Sequence, residues 1–146
     1  MKCKLIIDRD RPEEVEIRAH RESRLTRAIE RLCEEDGVRL IGYREREIVP
    51  LHLPDVCCFI VEDNKIFALT ATEKLQLKCR LYTLEEELPD SFVKLNQSCI
   101  ANLAKIERFD SSFAGTLTVL FQGGYTDYVS RRNLKTVKER ICKFYE

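Results

Sequence analysis

The amino-acid sequence predicts a mainly β protein with short helices, an α+β fold, preceded by a ββα extension. Short runs rich in Val, Ile, Leu and Phe recur from residue 40 to residue 130, separated by charged residues, Pro or Gly, as in consecutive strands. Apolar residues at helical spacing occur near both ends of the chain. With 146 residues and 44% apolar composition, the chain is long enough for one packed domain with a small appendage.

The first 39 residues are predicted to form the ββα extension. Residues 3–7 form an apolar run, and residues 15–19 alternate apolar and charged side chains, so both read as strands. Apolar residues in Ser23–Asp36 follow the i, i+3, i+4, i+7 stripe of an amphipathic helix, and Gly37 follows at the expected C-cap position. This helix either packs on the rest of the protein or serves a homodimer, and the pattern leaves both open.

Residues 40–146 are predicted to form a second domain of short strands. Gln122-Gly123-Gly124 separates two of the apolar runs and is a strong hairpin signal. Further strand-like runs are ended by charge, Pro or Gly. The predicted strands lie within residues 38–43, 47–53, 56–63, 65–72, 74–81, 92–102, 104–109, 115–121 and 125–130.

Two more helices are expected in this domain. Thr83 and Glu86 have the spacing of a capping box, and Pro89 limits that helix to about two turns. Ser130 is a natural N-cap for the last segment. The apolar stripe of this last helix consists of Leu134, Val137, Ile141, Phe144 and Tyr145.

Charge and cysteine content narrow the class of protein. Residues 94–146 carry 9 basic and 5 acidic residues, while the whole chain is neutral, so this third is the better face for an anion. The seven cysteines are odd in number and irregularly spaced, which indicates reduced, mostly buried thiols in a cytoplasmic protein. No leader sequence is evident, and no apolar run reaches the roughly 18–20 residues that span a bilayer.

No pattern in the sequence indicates catalysis, and we predict that the protein is not an enzyme. A Gly-rich phosphate loop and a nucleophile elbow are both missing from the sequence. His20 and His52 lie far apart and Cys57 and Cys58 are adjacent, which is not the paired spacing of a zinc site. We therefore expect no metal and no cofactor.

Arg131 and Arg132 stand out within the basic carboxyl-terminal segment. They fall where the last helix is expected to begin, and the helix dipole disfavours cations there. Paired arginines at this point suit DNA phosphates or guanine edges in the major groove. The alternative is a solvated surface pair, and the residues alone do not decide between the two.

The stretch FVKLNQSCIAN places Asn96-Gln97-Ser98 between two apolar runs. One interpretation is an ordinary bulge or turn. The other is a DNA-facing surface, because Asn and Gln read adenine edges and Ser binds phosphate. Together with Lys94, Arg131 and Arg132, these residues would form a nucleic-acid site if the fold brings them together.

The same segments resemble the LytTR DNA-binding domain of bacterial response regulators. The resemblance is carried by FVKLNQSCIANLAKIERF at residues 92–109 and GGYTDYVSRRNLKTVKERI at residues 123–141, and it extends weakly over residues 40–145. It implies an elongated set of small antiparallel sheets with short helices, whose loops enter successive major grooves. The matching positions are Phe92, Lys94, Ser98, Ile100, Asn102, Ile106 and Ser130-Arg131-Arg132.

The resemblance also implies which residues contact DNA. Base contacts are expected from the turn that holds Asn64 and Lys65, from Gln97, and from the segment Arg132-Asn133. Supporting or phosphate contacts are expected from Ser98 and Arg131, and Lys94 is a further candidate DNA-binding residue.

The resemblance further implies a regulator of the stand-alone class, since residues 1–37 are too short for a receiver domain. Such a response-regulator-like bacterial protein binds direct-repeat sites in double-stranded DNA as a dimer or as paired monomers. Members of this class are often encoded beside a small membrane protein that inhibits them. The alternative function is a protein-interaction module in which the LytTR-like part has weak or lost DNA binding.

Overall fold

The computed structural model describes residues 2–34, 40–111 and 115–145. The chain divides into two compact units, Met1–Gly37 and Val38–Glu146. In the first unit, helix α1 spans Arg24–Glu34. The Ser23 hydroxyl accepts from the Thr26 amide at 3.3 Å, and the Thr26 hydroxyl accepts from the Ser23 amide at 2.9 Å. This reciprocal capping pair explains where α1 begins. Its expected end at Asp36 and Gly37 lies outside the described residues.

The prediction of two strands in the extension is wrong. Residues 2–23 are all described, and none of them lies in a strand. Leu5, Ile7 and Val15 are exposed rather than packed on a sheet. A strand needs partners for its backbone groups, and an isolated two-stranded hairpin is marginal in water. The apolar run at residues 3–7 and the alternation at residues 15–19 are therefore insufficient to form strands.

The second unit contains ten strands and two helices among its described residues, which confirms a mainly β fold with short helices. Helix α2 spans Leu81–Glu87 and helix α3 spans Leu134–Tyr145. The strands are β1 (Leu40–Arg44), β2 (Glu47–Leu51), β3 (Val56–Glu62), β4 (Lys65–Thr70), β5 (Lys74–Leu77), β6 (Phe92–Asn96), β7 (Cys99–Asn102), β8 (Ile106–Ser111), β9 (Leu117–Phe121) and β10 (Thr126–Val129).

The strands form two antiparallel sheets. The larger sheet has the order β2-β1-β5-β4-β3-β7-β6, and the smaller has the order β10-β9-β8. The predicted Gln122-Gly123-Gly124 hairpin joins β9 and β10. β3 pairs with β7, so that Ile60 lies opposite Cys99, and this places the carboxyl end of β3 beside the amino end of β7.

Two apolar clusters cover the two faces of the larger sheet. Because successive strand residues face opposite sides, Cys99 belongs to one cluster and Ile100 to the other. The first cluster joins the larger sheet to the smaller sheet and to α3 through Leu95, Cys99, Val119, Phe121, Val129 and Val137. The second joins it to α2 through Phe59, Phe92, Ile100 and Leu84.

Both predicted helix starts in the second unit need correction. Helix α2 begins at Leu81 with Arg80 as N-cap and no side-chain cap, so Thr83 lies inside the helix and forms no capping box. Helix α3 begins at Leu134 rather than next to Ser130. Arg131 and Arg132 therefore precede the helix instead of lying in its first turn.

Fewer cysteines are buried than the sequence predicted. Cys57, Cys58 and Cys99 are buried, whereas Cys3, Cys33 and Cys142 are exposed. A hydrogen bond to Cys58 and burial raise the pKa of Cys99 well above its ordinary value. This thiol is therefore a protonated core group.

None of the helices that the structure describes is long and apolar enough to cross a membrane.

Candidate nucleic-acid interface

The first candidate segment is the hairpin turn between β3 and β4. Its central residues are Asp63 and Asn64, both with positive φ, at 51° and 60°. This is the geometry of a two-residue turn that matches the twist of the strands, and Asp and Asn tolerate it. The side chains of Asn64 and of Lys65, which follows, are exposed. Asp63 is acidic, so this turn suits a base edge better than a phosphate.

The second segment is the turn between β6 and β7. Asn96 pairs with Cys99, so Gln97 and Ser98 are the two central residues, and both are exposed. The Ser98 amide donates to Asn96 Oδ1 at 2.8 Å, which closes the turn through a side chain. The triplet is therefore a turn, one of the two structures left open by the sequence.

The third segment connects β10 to α3. The Asn133 amide donates to the Ser130 carbonyl at 3.0 Å, so Arg131 and Arg132 are the central residues of a β-turn. Both arginines are exposed. The Asn133 carbonyl accepts from the Val137 amide at 2.9 Å and thus opens the hydrogen-bond ladder of α3.

Backbone hydrogen bonds bring the three turns to one end of the larger sheet. The Val61 amide donates to the Ser98 carbonyl at 2.9 Å, beside the first turn. The Ser130 amide donates to the Leu95 carbonyl at 2.9 Å, beside the second turn. We call this surface the turn edge. It is defined by the central residues of the three turns, Asp63, Asn64, Gln97, Ser98, Arg131 and Arg132.

The side chains of the turn edge make few contacts of their own. Within the described segments, Asn64, Gln97, Arg131 and Arg132 form no side-chain hydrogen bond or ion pair. Positive charge continues along α3 through the exposed Lys135 and Lys138. The edge thus combines unengaged amides with guanidinium groups, which together suit base edges and phosphates.

Lys94 is the expected contact that stands apart from the turn edge. It is half-buried on β6, and its Nζ lies 3.4 Å from Glu85 Oε2 of α2. Lys94 and Asn133 both line a cavity of about 270 Å³ between α2, β6 and α3. The structure therefore places Lys94 beside the start of α3, with its charge already paired.

Two asparagines of the sequence motif are buried and structural. Asn102 is 2% exposed, donates from Nδ2 to the Val56 carbonyl at 2.8 Å and accepts from the Ala104 amide at 3.1 Å. Asn96 is 3% exposed, so the expectation that the whole Asn96-Gln97-Ser98 triplet faces DNA is wrong for Asn96.

Asn96 instead binds β10, and this contact was not foreseen from the sequence. Its Nδ2 donates to Asp127 Oδ1 at 2.9 Å and to the Tyr128 carbonyl at 2.8 Å. Asp127 carries no sequence signal of such a role, because Asn96 lies 31 residues away along the chain. No group of three or more potential metal-ligating side chains occurs in the part of the chain that the structure describes.

Comparison with known proteins assigns the family. The sequence model of the LytTr DNA-binding domain matches residues 46–142. The chain belongs to the LytTR DNA-binding domain family. The match contains all eight residues expected to contact DNA, from Asn64 to Asn133, and the LytTR region includes all three turns of the turn edge.

Two relatives are described as transcriptional regulators, and a solved structure shares the fold of this LytTR protein. Two Staphylococcus aureus proteins, from strains RF122 and NCTC 8325, are 37% and 36% identical over 102 residues, which is 70% of this chain and 69% of theirs. Both are described as uncharacterised HTH-type transcriptional regulators. A LytTr DNA-binding domain from Bacillus cereus superimposes with a TM-score of 0.67 at 19% identity, over 70% of this chain and 95% of that one.

The fold of this LytTR protein does not display DNA-reading helices in tandem. Among the described residues, strands separate α1, α2 and α3 from one another, so no two consecutive helices are joined by a short turn. The unengaged side chains of the turn edge lie on turns instead.

Proposed function

We propose that this LytTR protein is a sequence-specific transcriptional regulator that reads direct-repeat DNA sites through loops inserted into the major groove. The observation that carries the proposal is the turn edge, where three two-residue turns present unengaged amide and guanidinium groups at one end of a sheet. Gln97 and Asn64 suit adenine edges, and Arg132 suits guanine. Ser98, Arg131 and Lys94 supply phosphate contacts.

The proposal predicts salt-sensitive binding to a specific site. With four to six phosphate contacts, the slope of log K against log[salt] should be about −4 to −5. Binding is measured by fluorescence anisotropy, using duplexes tiled across the region upstream of the protein's own coding sequence and a shuffled duplex of the same length. Equal affinity for every tiled duplex and the shuffled duplex would show that the protein is not a specific regulator.

Arg132→Ala tests the turn edge directly. Loss of the guanidinium should cost about 1–3 kcal/mol of binding free energy and relax the preference at one base position. The measurement is affinity for the specific site and for its single-base variants. Arg108→Ala is the matched control, because Arg108 is an exposed arginine on β8 that pairs with Asp110 and lies outside the turn edge. A control loss as large as that of Arg132→Ala would contradict the assignment.

Direct repeats require two copies of the turn edge on one DNA molecule, so the proposal includes a dimer or paired monomers. A chain that begins at Val38 tests whether the first unit supplies the pairing. If it does, this chain should bind one half-site normally and lose cooperativity on the full site. Loss of half-site binding as well would favour the alternative function of a protein-interaction module.

A further inference from the structure

The buried amide of Asn96 joins two turns of the turn edge. Its Oδ1 accepts from the Ser98 amide at 2.8 Å and thereby holds the turn that presents Gln97. Its Nδ2 donates to Asp127 and to the Tyr128 carbonyl on β10. One side chain thus fixes the second turn and ties it to the strand that leads into the third.

Asp127 extends this contact along β10. Its Oδ1 accepts from Asn96 and from the Tyr128 amide at 2.8 Å, and its Oδ2 accepts from the Tyr125 hydroxyl at 2.8 Å. Burial and the hydrogen bond to Asp127 raise the pKa of Tyr125, so its hydroxyl stays a donor. We call Asn96, Asp127 and Tyr125 the Asn96 network.

The Asn96 network lies across the two sheets. β6 belongs to the larger sheet and β10 to the smaller one, and no ladder of strand hydrogen bonds joins these two strands. The apolar cluster that contains Leu95 and Val129 holds the sheets together, but dispersion contacts are not directional. Directional contacts between the strand ends come from the network and from the hydrogen bond between Ser130 and Leu95.

We propose that Asn96, Asp127 and Tyr125 are positioning residues that fix the Gln97 turn relative to the Arg131–Arg132 turn, and so determine base specificity rather than electrostatic affinity. The inference rests on the proposed function and deepens it. Base readout depends on side chains held within about 0.5 Å of the productive geometry, whereas phosphate attraction tolerates looser placement.

Tyr125→Phe is the decisive variant, since it removes one hydroxyl and keeps the ring in place. Asn96→Ala is the stronger variant, and Tyr82→Phe is the matched control because Tyr82 is an exposed tyrosine on α2. The full-length chains are titrated with the specific duplex and with a shuffled duplex at two salt concentrations. We expect the ratio of the two affinities to fall about fivefold for Tyr125→Phe and tenfold or more for Asn96→Ala.

The shuffled-duplex affinity and its salt slope should stay unchanged in both variants, and Tyr82→Phe should match the unsubstituted chain. The double variant should lose no more specificity than Asn96→Ala alone, because both changes break one network. Hydrogen exchange of the free protein provides a readout without DNA. The Ser98 and Ser130 amides should exchange faster in Tyr125→Phe, with the sheet interior unaffected.

Three outcomes would overturn the inference. If the ratio stays within twofold of the unsubstituted chain, the network has no part in specificity, while the proposed function stands. If both affinities fall in parallel with the melting temperature, the network is only structural. If the unsubstituted chain itself does not distinguish the two duplexes, the proposed function fails and the inference fails with it.

Discussion

At the scale of single residues, the ion pair of Lys94 bears on the strength of the proposed DNA binding. Its ammonium group pairs with Glu85 at 3.4 Å, and both side chains retain solvent access, with exposed fractions of 33% and 48%. Under the proposed function, a DNA phosphate would therefore compete with the Glu85 carboxylate for the Lys94 ammonium group. Exposed ion pairs of this kind contribute about 0.2–1 kcal/mol, so in this proposal Glu85 would lower the DNA affinity without abolishing it.

Glu85→Gln should accordingly strengthen binding. Without the ion pair, Lys94 makes its phosphate contact unopposed, so affinity should rise about two- to fivefold and the salt slope should steepen by up to about one. The measurement is anisotropy at several salt concentrations. Glu86→Gln removes the same charge one residue away, where no ion pair to a described residue exists. An equal gain from both variants would mean that only net charge matters and that the Lys94 pair does not.

At the scale of the secondary-structure elements, short apolar or alternating runs predicted strands correctly wherever a neighbouring strand supplies hydrogen-bond partners. All ten strands that the structure describes in the second unit fall within or next to predicted runs, as Lys74–Leu77 shows with its buried Leu75 and Leu77. Helix α2 starts before its Thr83 cap because Leu81, Leu84 and Leu88 pack in one apolar cluster. Packing outweighs a cap because one cap contributes only about 1 kcal/mol.

The turn edge could be predicted only in pieces. Polar pairs at Gln97-Ser98 and Arg131-Arg132 are visible in the sequence, but the hydrogen bonds that bring the turns together are tertiary. Burial of Asn96 was not predictable, because a register shift between Lys94 and Asn96 interrupts the period of two. Leu95 and Asn96 are consequently both buried although they are neighbours.

Strand β7 and the turn before it allow stability and DNA binding to be separated. Asn102→Ala leaves the Val56 carbonyl and the Ala104 amide without their partner and should lower the free energy of unfolding by about 1–3 kcal/mol. Gln97→Ala removes an exposed amide and should change that free energy by less than about 0.5 kcal/mol while weakening specific binding. Urea denaturation and anisotropy measure the two effects. Equal destabilisation by both variants would contradict the roles assigned here.

At the scale of the whole second unit, Gly123 in the hairpin of the smaller sheet contacts the turn that follows β4 of the larger sheet. A Cβ added there would lie 2.9 Å from the Ala71 backbone. The neighbouring Gln122 carbonyl accepts from the Cys57 thiol at 3.3 Å. The two sheets therefore meet with main chain against main chain at this point, and a side chain would push them apart.

Gly123→Ala should destabilise the protein more than Gly124→Ala. Both glycines have a φ of +96°, but a Cβ at Gly124 meets nothing within 4 Å. Backbone strain is therefore common to both variants, and the difference, about 1–3 kcal/mol, reports the close approach alone. Thermal and urea denaturation of the pair measure this difference. Equal losses would mean that the two sheets yield easily at this contact.

The separation of the turn edge from the apolar clusters has a consequence for how such proteins diverge. Asn64, Gln97 and Arg132 are exposed, whereas the buried Asn96 holds the turn that presents Gln97. Substitutions at the exposed positions cost little folding free energy, so they accumulate without loss of the fold. Under the proposed function, operator preference would therefore change through substitutions on the turns while the fold persists, and the Gln97 and Arg131–Arg132 turns would change together because the Asn96 network joins them.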